Sequence, residues 1–322
     1  MILAAGFGER MRPLTDKRPK PSLPVLGMPL LSRIIHEIRR RHVALIAVNG
    51  HHHSPWIRKI ARKSTAEGTP ISFFHESSIM GTGGALVAPS KLLGRTPFFL
   101  THNGDTLCRI PLQALRRALD DDTVLGALLV RPGRHESYGP ILTRGGFFRA
   151  LGSERKAPSE EFATFLGVAL WKREVLDRVP RARASDILRD TVLPMLDERH
   201  RLAVVPHSGP WLEFTSPKSY RKQVCSILAE DGMSPADLPG GSAAIRNFQG
   251  ARVYIAPSAD VSPHCRLEGQ VAVESGAVIR SGAVVADSVI LEDSTVESDV
   301  TLRKVVLSSG STARSDHHDG VI

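Results

Sequence analysis

The sequence predicts an α/β protein: a doubly wound domain over residues 1–228, followed by a short parallel β-helix over 249–312. Two observations predict it. Apolar runs of strand length alternate with amphipathic helical patterns as far as Leu228. From Val253 onward, aliphatic residues recur every six positions, a period that helices cannot generate. The 322 residues, 42% of them hydrophobic, are enough for one full-size domain and a smaller appendage.

The elements follow in order. Ile2 to Ala5 make a short apolar strand that ends at Gly6-Phe7-Gly8. Met1 abuts this strand directly, leaving room for one or two further strand residues upstream. Leu30, Leu31, Ile34, Ile35 and Ile38 fall at helical spacing within 29–41, with Arg33, Glu37, Arg39 and Arg40 expected on the outer face. Strands are expected at 43–48, 71–74, 98–101, 124–130, 162–171 and 211–214, with helices at 111–119 and 217–228. Leu188, Val192 and Leu196 space out one face of another helix.

Residues 229–248 supply turn-formers and charges without periodicity and read as a linker. Beyond it, Ile255, Val261, Leu267, Val273, Ile279, Val285 and Leu291 stand six apart. Two positions before each come Val253, Ala259, Cys265, Val271, Ala277, Ala283 and Val289. Each short strand of a parallel β-helix places one aliphatic residue inward and a smaller one at the corner, which generates this pattern. The register is expected to slip after Leu291, where Val296 and Leu302 break the interval, and 313–322 reads as a tail. No His, Asp or Glu repeats at matching corners, so the repeats supply core, and their exposed edges favour a homo-oligomer through this region. His264 alone makes no acyl-transfer site.

Function is concentrated in residues 3–25, LAAGFGERMRPLTDKRPKPSLPV. Glycines after a strand bring backbone N–H groups close to an anion, although the same pair also marks ordinary turns. Arg10, Arg12, Lys17, Arg18 and Lys20 follow, interrupted by Pro13, Pro19, Pro21 and Pro24, which stiffen the loop. Fixed cations suit polyphosphate chemistry. The string resembles the signature loop of the sugar-1-phosphate nucleotidyltransferases, or nucleotide-sugar pyrophosphorylases, whose pattern runs G-x-G-x-R-[LM]-x-P-L-T, P-K-P and P-V. The resemblance implies a Rossmann-like nucleotidyltransferase fold in which Leu3, Ala4, Ala5, Gly6 and Gly8 hold the nucleotide. It implies that Arg10 stabilises the leaving pyrophosphate and that Lys20 holds the reacting phosphates. The repeats resemble left-handed hexapeptide β-helices, which often follow such domains.

Two carboxylates come with the same resemblance. Asn103-Gly104-Asp105 ends a buried strand, where ligands of open α/β sheets bind, and an Asx-turn would look alike. In the family this aspartate coordinates Mg2+. The second metal carboxylate belongs to a W-x-D-[IV]-G string, which here reads Trp211-Leu212-Glu213-Phe214-Thr215. Glutamate thus replaces aspartate at 213 and threonine replaces glycine at 215. The longer side chain shifts the oxygen by about one C–C bond, and octahedral magnesium tolerates little displacement.

Other positions match more softly. Residues 76–86 resemble the nucleobase loop, with Glu76, Thr82, Gly83 and Gly84 beside base and ribose, although a turn before a helix looks the same. Ser137-Tyr138-Gly139 resembles the sugar-binding Y-G, Lys156 stands where an E-K-P lysine meets the sugar phosphate, and Gly167 matches a sugar-facing glycine. His51, His52 and His53 resemble a metal box. Adjacent side chains rarely converge on one ion, however, and a polar loop explains them better.

Bulk properties narrow the class. A formal net charge of +9 favours approach of anions, or marks a basic solvated surface. Aromatic content of 5% without an interleaved basic stripe argues against nucleic acid. Cys108, Cys225 and Cys265 form no C-x-x-C pair, no apolar run approaches a membrane span, and the start lacks a signal peptide's pattern, so a reducing cytoplasm is expected. The expected reaction is magnesium-dependent transfer of a nucleotidyl group from a nucleoside triphosphate to a sugar 1-phosphate. The mannose, glucose and N-acetylmuramate 1-phosphate versions all remain open. Glu213 and Thr215 keep a second reading in play, a non-catalytic sensor or assembly subunit that binds nucleotide sugar.

Overall fold

The computed structural model describes residues 1–65, 68–135, 138–152, 157–197, 199–241 and 244–322. The chain forms two compact units interleaved in sequence. One takes residues 1–6, 38–54 and 61–209, the other 7–37, 55–60 and 210–322. The signature segment from Phe7 onward therefore shares a unit with the C-terminal repeats, a grouping that a boundary drawn after Leu228 does not contain.

The first unit is built on a nine-stranded sheet. Its order is Ile71–His75, Ile46–Gly50, Ile2–Leu3, Phe98–Asn103, Glu161–Lys172, Val124–Pro132, Arg201–Pro206, Phe147–Leu151 and Ile141–Arg144. The first four run parallel to one another. From Ile2–Leu3 the chain winds outward to one side and then crosses back to place Phe98–Asn103 on the other. The strand order thus reverses beside Leu3 and Asn103, the position where open α/β sheets bind ligands. Glu161–Lys172 runs antiparallel to both Phe98–Asn103 and Val124–Pro132. Leu86, Phe99, Leu125, Leu128 and Trp171 are among the buried side chains of the core. The Trp171 indole N–H is satisfied by Thr101 Oγ1 at 2.8 Å, as burial of a polar tip requires.

Arg33 and Glu37, expected on the outer face of helix Leu30–Arg39, are each only 1% exposed, the Arg33 guanidinium donating to Val25 O at 2.8 Å and Leu26 O at 2.9 Å. Two further elements depart from expectation for local reasons. The strand expected at 43–48 begins later, at Ile46–Gly50, because His42 turns the chain at φ 53°. The helix expected around Leu188, Val192 and Leu196 is a π-helical turn at Ile187–Val192 followed by a 3-10 turn at Leu193–Met195. Pro194 has no N–H to donate, and its ring clashes with the preceding turn. No helix among the described residues is long and apolar enough to cross a membrane.

In the second unit the signature segment is mostly irregular. It holds 3-10 turns at Glu9–Met11 and Lys20–Ser22 and a hairpin of Pro24–Val25 with Met28–Pro29. Helix Pro217–Ala229 starts with a capping box in which Ser216 and Ser219 satisfy each other's backbone. The segment read as linker carries more structure than expected, since Ile245–Phe248 pairs antiparallel with Ala251–Ile255.

From there the strands stack in parallel. Val253 pairs with Val271, eighteen positions on, and Asp260 likewise with Val278. The step shortens to seventeen where Val273 pairs with Ile290, and to fifteen where Leu302 pairs with His317. The slip therefore comes before Leu291, and Ile290 takes the core place after Val285. Leu267, Val273, Ile279 and Val285 share that core with Cys265, Val271, Ala277 and Ala283. Residues 317–321, expected as tail, form a strand against Thr301–Leu307. Against the expectation that no acidic residue repeats at matching corners, Asp287, Asp293 and Asp299 do, in left-handed backbone with φ of 46°, 56° and 62°. The Asp287 carboxylate lies over Gly269, where a Cβ would come within 2.1 Å of it, so the pair specifies its corner.

Candidate active site

The first unit contributes a cavity of about 350 Å³ at the strand-order reversal. Leu3, Thr82, Asn103, Tyr138, Gly139 and Gly167 line it. The sequence assigned Leu3 to nucleotide, Thr82 to base, and Tyr138, Gly139 and Gly167 to sugar, and placed Asn103 in the string that ends at the metal aspartate. Gly167 lies on Glu161–Lys172, where the register against Val124–Pro132 shifts between Phe165 and Ala169. With φ of 78° and Asn103 Nδ2 2.8 Å from where a Cβ would stand, only glycine fits.

Glu76 has an internal task. One carboxylate oxygen accepts from Asn49 Nδ2 at 2.7 Å and the other from the Met80 amide at 3.0 Å. Asn49 Oδ1 in turn accepts the Ala4 amide at 2.7 Å. A chain of three hydrogen bonds, two of them charge-assisted by Glu76, thus ties the end of the first strand to the expected base loop. The glycines of that loop also have a packing reason. The Gly83 and Gly84 amides donate to Ser185 O at 2.8 and 3.3 Å, and a Cβ on Gly83 would sit 2.8 Å from Ser185 Oγ. The close backbone approach expected for a ligand is made here by residues 185–187. Thr82 Oγ1 donates to Asp186 Oδ2 at 2.8 Å and accepts the Ile187 amide at 2.9 Å. Asp186 also lines the cavity, and no sequence signal singled it out.

Asp105 is half-buried in the turn that follows Phe98–Asn103, whose Gly104 amide donates to Leu3 O at 2.8 Å. Nearby His102 is fully buried, and burial pushes its pKa down to about 4, against the upward pull of the Asn103 carbonyl. It is neutral at pH 7 and adds no positive charge beside Asp105.

The second unit carries the remaining expected residues. Gly8 has φ of 67°, and a Cβ there would crowd Thr15 Cγ2 at 3.2 Å and Lys20 Cβ at 3.3 Å. Thr15 Oγ1 donates to Gly8 O at 2.9 Å, closing the loop over Glu9–Met11. Gly6, in the first unit, has open space around it, consistent with an accessible backbone. Arg10 is exposed, whereas Lys20 is buried between Pro19 and Pro21. Arg18, which the sequence treated as one cation among five, is 7% exposed and ion-paired to Glu292 at 2.8 Å.

Glu213 is buried at the end of Trp211–Glu213. Thr215 occupies the family's glycine position without strain, because it belongs to the start of helix Pro217–Ala229: its amide donates to Ser219 Oγ at 2.9 Å. Asp105 and Glu213 offer hard carboxylate oxygens, the donor type magnesium takes one or two of beside phosphate oxygens and water. Lys156 and Ser137 lie outside the described residues. His51 Nδ1 lies 2.8 Å from Glu76 O, and no group of three or more His, Cys, Asp or Glu that could hold a metal occurs among the described residues.

The nucleotidyl transferase family model matches residues 1–230, and the GMPPB C-terminal domain model matches 249–318. The chain belongs to the nucleotidyl transferase family. It is 24% identical over 258 residues to UTP–glucose-1-phosphate uridylyltransferase of Synechocystis, covering 74% of this chain and 66% of that one. It is 25% identical over 287 residues to mannose-1-phosphate guanylyltransferase of Mycobacterium tuberculosis, covering 84% and 78%. The structure of HddC from Yersinia pseudotuberculosis superposes with a TM-score of 0.57 at 19% identity, covering 69% of this chain and 96% of that one, a likeness of fold. These relatives agree with the sequence reading of a sugar-1-phosphate nucleotidyltransferase.

Proposed function

We propose that this protein transfers a nucleotidyl group from a nucleoside triphosphate to a sugar 1-phosphate, giving a nucleotide sugar and pyrophosphate. The observation that carries the reading is the cavity at the strand-order reversal. Residues assigned from sequence to nucleotide (Leu3), base (Thr82) and sugar (Gly139, Gly167) all line it. A sugar joined to a nucleotide needs one continuous pocket, and separate loops chosen by motif alone would have no reason to share it.

No nucleophile from the protein is required. The sugar phosphate oxygen attacks the α-phosphorus in line, the bond to the pyrophosphate oxygen breaks, and pyrophosphate leaves. Gly6 and Gly8 let backbone amides approach the triphosphate, Lys20 holds the reacting phosphates, and exposed Arg10 stabilises the departing pyrophosphate. Gly139 and Gly167, with Lys156, serve the sugar phosphate. Asp105 and Glu213 are the residues that would hold Mg2+, which supplies neutralisation of phosphate charge when bound. The protein's share of catalysis is then positioning and electrostatics. The parallel stacking at eighteen- and seventeen-residue steps supports a left-handed β-helix for the repeats. Ile245–Phe248, at one edge of their sheet, offers unpaired backbone to a second copy of the chain.

The test is pyrophosphate release from a panel of triphosphates and sugar 1-phosphates with magnesium. Mannose 1-phosphate with GTP is the pair to try first, given the GMPPB C-terminal model and the mannose-1-phosphate guanylyltransferase relative. Release with one pair well above the others is expected. Tight binding of a nucleotide sugar with no release from any pair would replace this reading with the sensor.

A further inference from the structure

The signature segment is gripped by residues that no motif assigns to it. Arg18 Nη1 donates to both carboxylate oxygens of Glu292, at 2.9 and 2.8 Å, and lies 3.4 Å from Ser309 Oγ. Its Nε donates to Ser22 Oγ at 2.9 Å and its Nη2 to Ser22 O. Ser309 Oγ braces Glu292 from the next turn of the repeat, donating at 3.0 Å. One turn back, Glu274 accepts the Gly27 amide at 3.0 Å. Two acidic residues on successive turns thus hold two points of one loop, residues 18 and 27, with Lys20 between them.

We propose that Glu292, seconded by Glu274, is a positioning residue for nucleotidyl transfer, so that the C-terminal repeats take part in the chemistry by shaping the signature loop. The proposal rests on the reading of Lys20 given above. The physical link is short. Pro19 and Pro21 fix φ on both sides of Lys20, so a rotation at Arg18 is carried along the backbone to the lysine. Without Glu292, Arg18 would keep a buried charge with its main partner gone, and the guanidinium would turn toward water and take the loop with it. Residues 7–37 and 210–322 lie in one compact unit, so both sides of this grip belong to the same body.

The full-length chain tests this. Glu292→Gln is compared with Glu292→Asp and with a control, Glu297→Gln, which breaks the exposed Arg280–Glu297 pair on the same repeats. Glu292→Gln is expected to lower kcat and raise KM for the triphosphate, together about tenfold to a hundredfold in kcat/KM, because small misplacements of a phosphate-holding group cost that much. KM for the sugar 1-phosphate should stay, since its expected residues lie in the other unit. Glu292→Asp should recover part of the loss, and the control should match the parent. Hydrogen exchange across 16–26 should quicken in Glu292→Gln, and the emission of Trp56, whose ring lies 4.8 Å from the Arg18 guanidinium, should shift. These last two readouts need no turnover, so they stand even if the parent forms no nucleotide sugar. Parental kinetics and exchange in Glu292→Gln would overturn the proposal. So would an equal rise in both KM values that merely tracks a lowered Tm.

Discussion

Glu274 meets the Gly27 amide with both carboxylate oxygens, at 3.3 and 3.0 Å, while only 1% exposed. Burial, with Glu292 adding like-charge repulsion, pushes its pKa up to about 8, and the Gly27 amide, Arg33 and Arg18 only partly offset this. The folded state therefore holds a proton that the unfolded state has released above the ordinary carboxylate range. Between pH 4.5 and 8 the folded chain binds more protons, so stability falls as pH rises and levels off beyond 8. Glu274→Gln mimics the protonated form. Urea unfolding at pH 6 and pH 9 should show the parent losing on the order of a few kcal/mol at the higher pH, with much of that loss removed in the mutant. An equal loss in both proteins would place the titrating group elsewhere.

Asp105→Asn keeps the shape of the turn after Phe98–Asn103 and removes one negative charge. Pyrophosphate release should fall about a hundredfold or more, with Tm and much of the triphosphate affinity by equilibrium dialysis retained. Equal rates for mutant and parent under saturating magnesium would sink the metal assignment.

What the sequence disclosed follows from how local each signal is. The strands that end at Leu3 and Asn103 were legible because apolar runs and helical spacing are properties of short windows, whereas their order in the sheet was not. The repeat core was legible because Val271, Val273, Ala277 and Ile279 recur with one period. The shortened step at Ile290 was not, since Val289, Ile290 and Leu291 are all aliphatic and any of them can continue the count. Nor was the grip of Glu292 on Arg18, which spans 274 positions and has no periodic trace. Gly83 was read as open to a ligand because a glycine gives no sign of which neighbour comes close. Ser185 does, and it comes from a segment whose π-helical turn the spacing of Leu188 and Val192 disguised.

Glu213→Asp has a prediction of definite sign. Glu213 ends a three-residue strand and is buried, so the backbone around it is fixed, and shortening the side chain moves only the carboxylate. If glutamate is a drifted form of the family's aspartate, pyrophosphate release at saturating magnesium should hold or rise. Thr215→Gly, which restores the family's second residue, should by contrast lower stability by about 0.5–1 kcal/mol through added backbone freedom at the helix start. A large loss of turnover in Glu213→Asp would show a site rebuilt around glutamate, and inactivity of parent and mutant alike would favour the sensor.

Gly167→Ala tests whether the cavity depends on one close approach. The residue stands at φ of 78°, with the Asn103 side chain 2.8–3.0 Å from the place of a Cβ. Alanine would meet both backbone strain and a contact shorter than side chains make, costing about 1–3 kcal/mol in unfolding free energy. Asn103 is the flexible partner, so it would yield first, and it lines the same cavity as Thr82 and Gly139. KM for the sugar 1-phosphate should therefore rise more than KM for the triphosphate. Denaturant unfolding and steady-state kinetics with each substrate varied in turn separate the two effects. A stable Gly167→Ala protein with both KM values at the parental level would show that Asn103 does not shape the sugar side of the pocket.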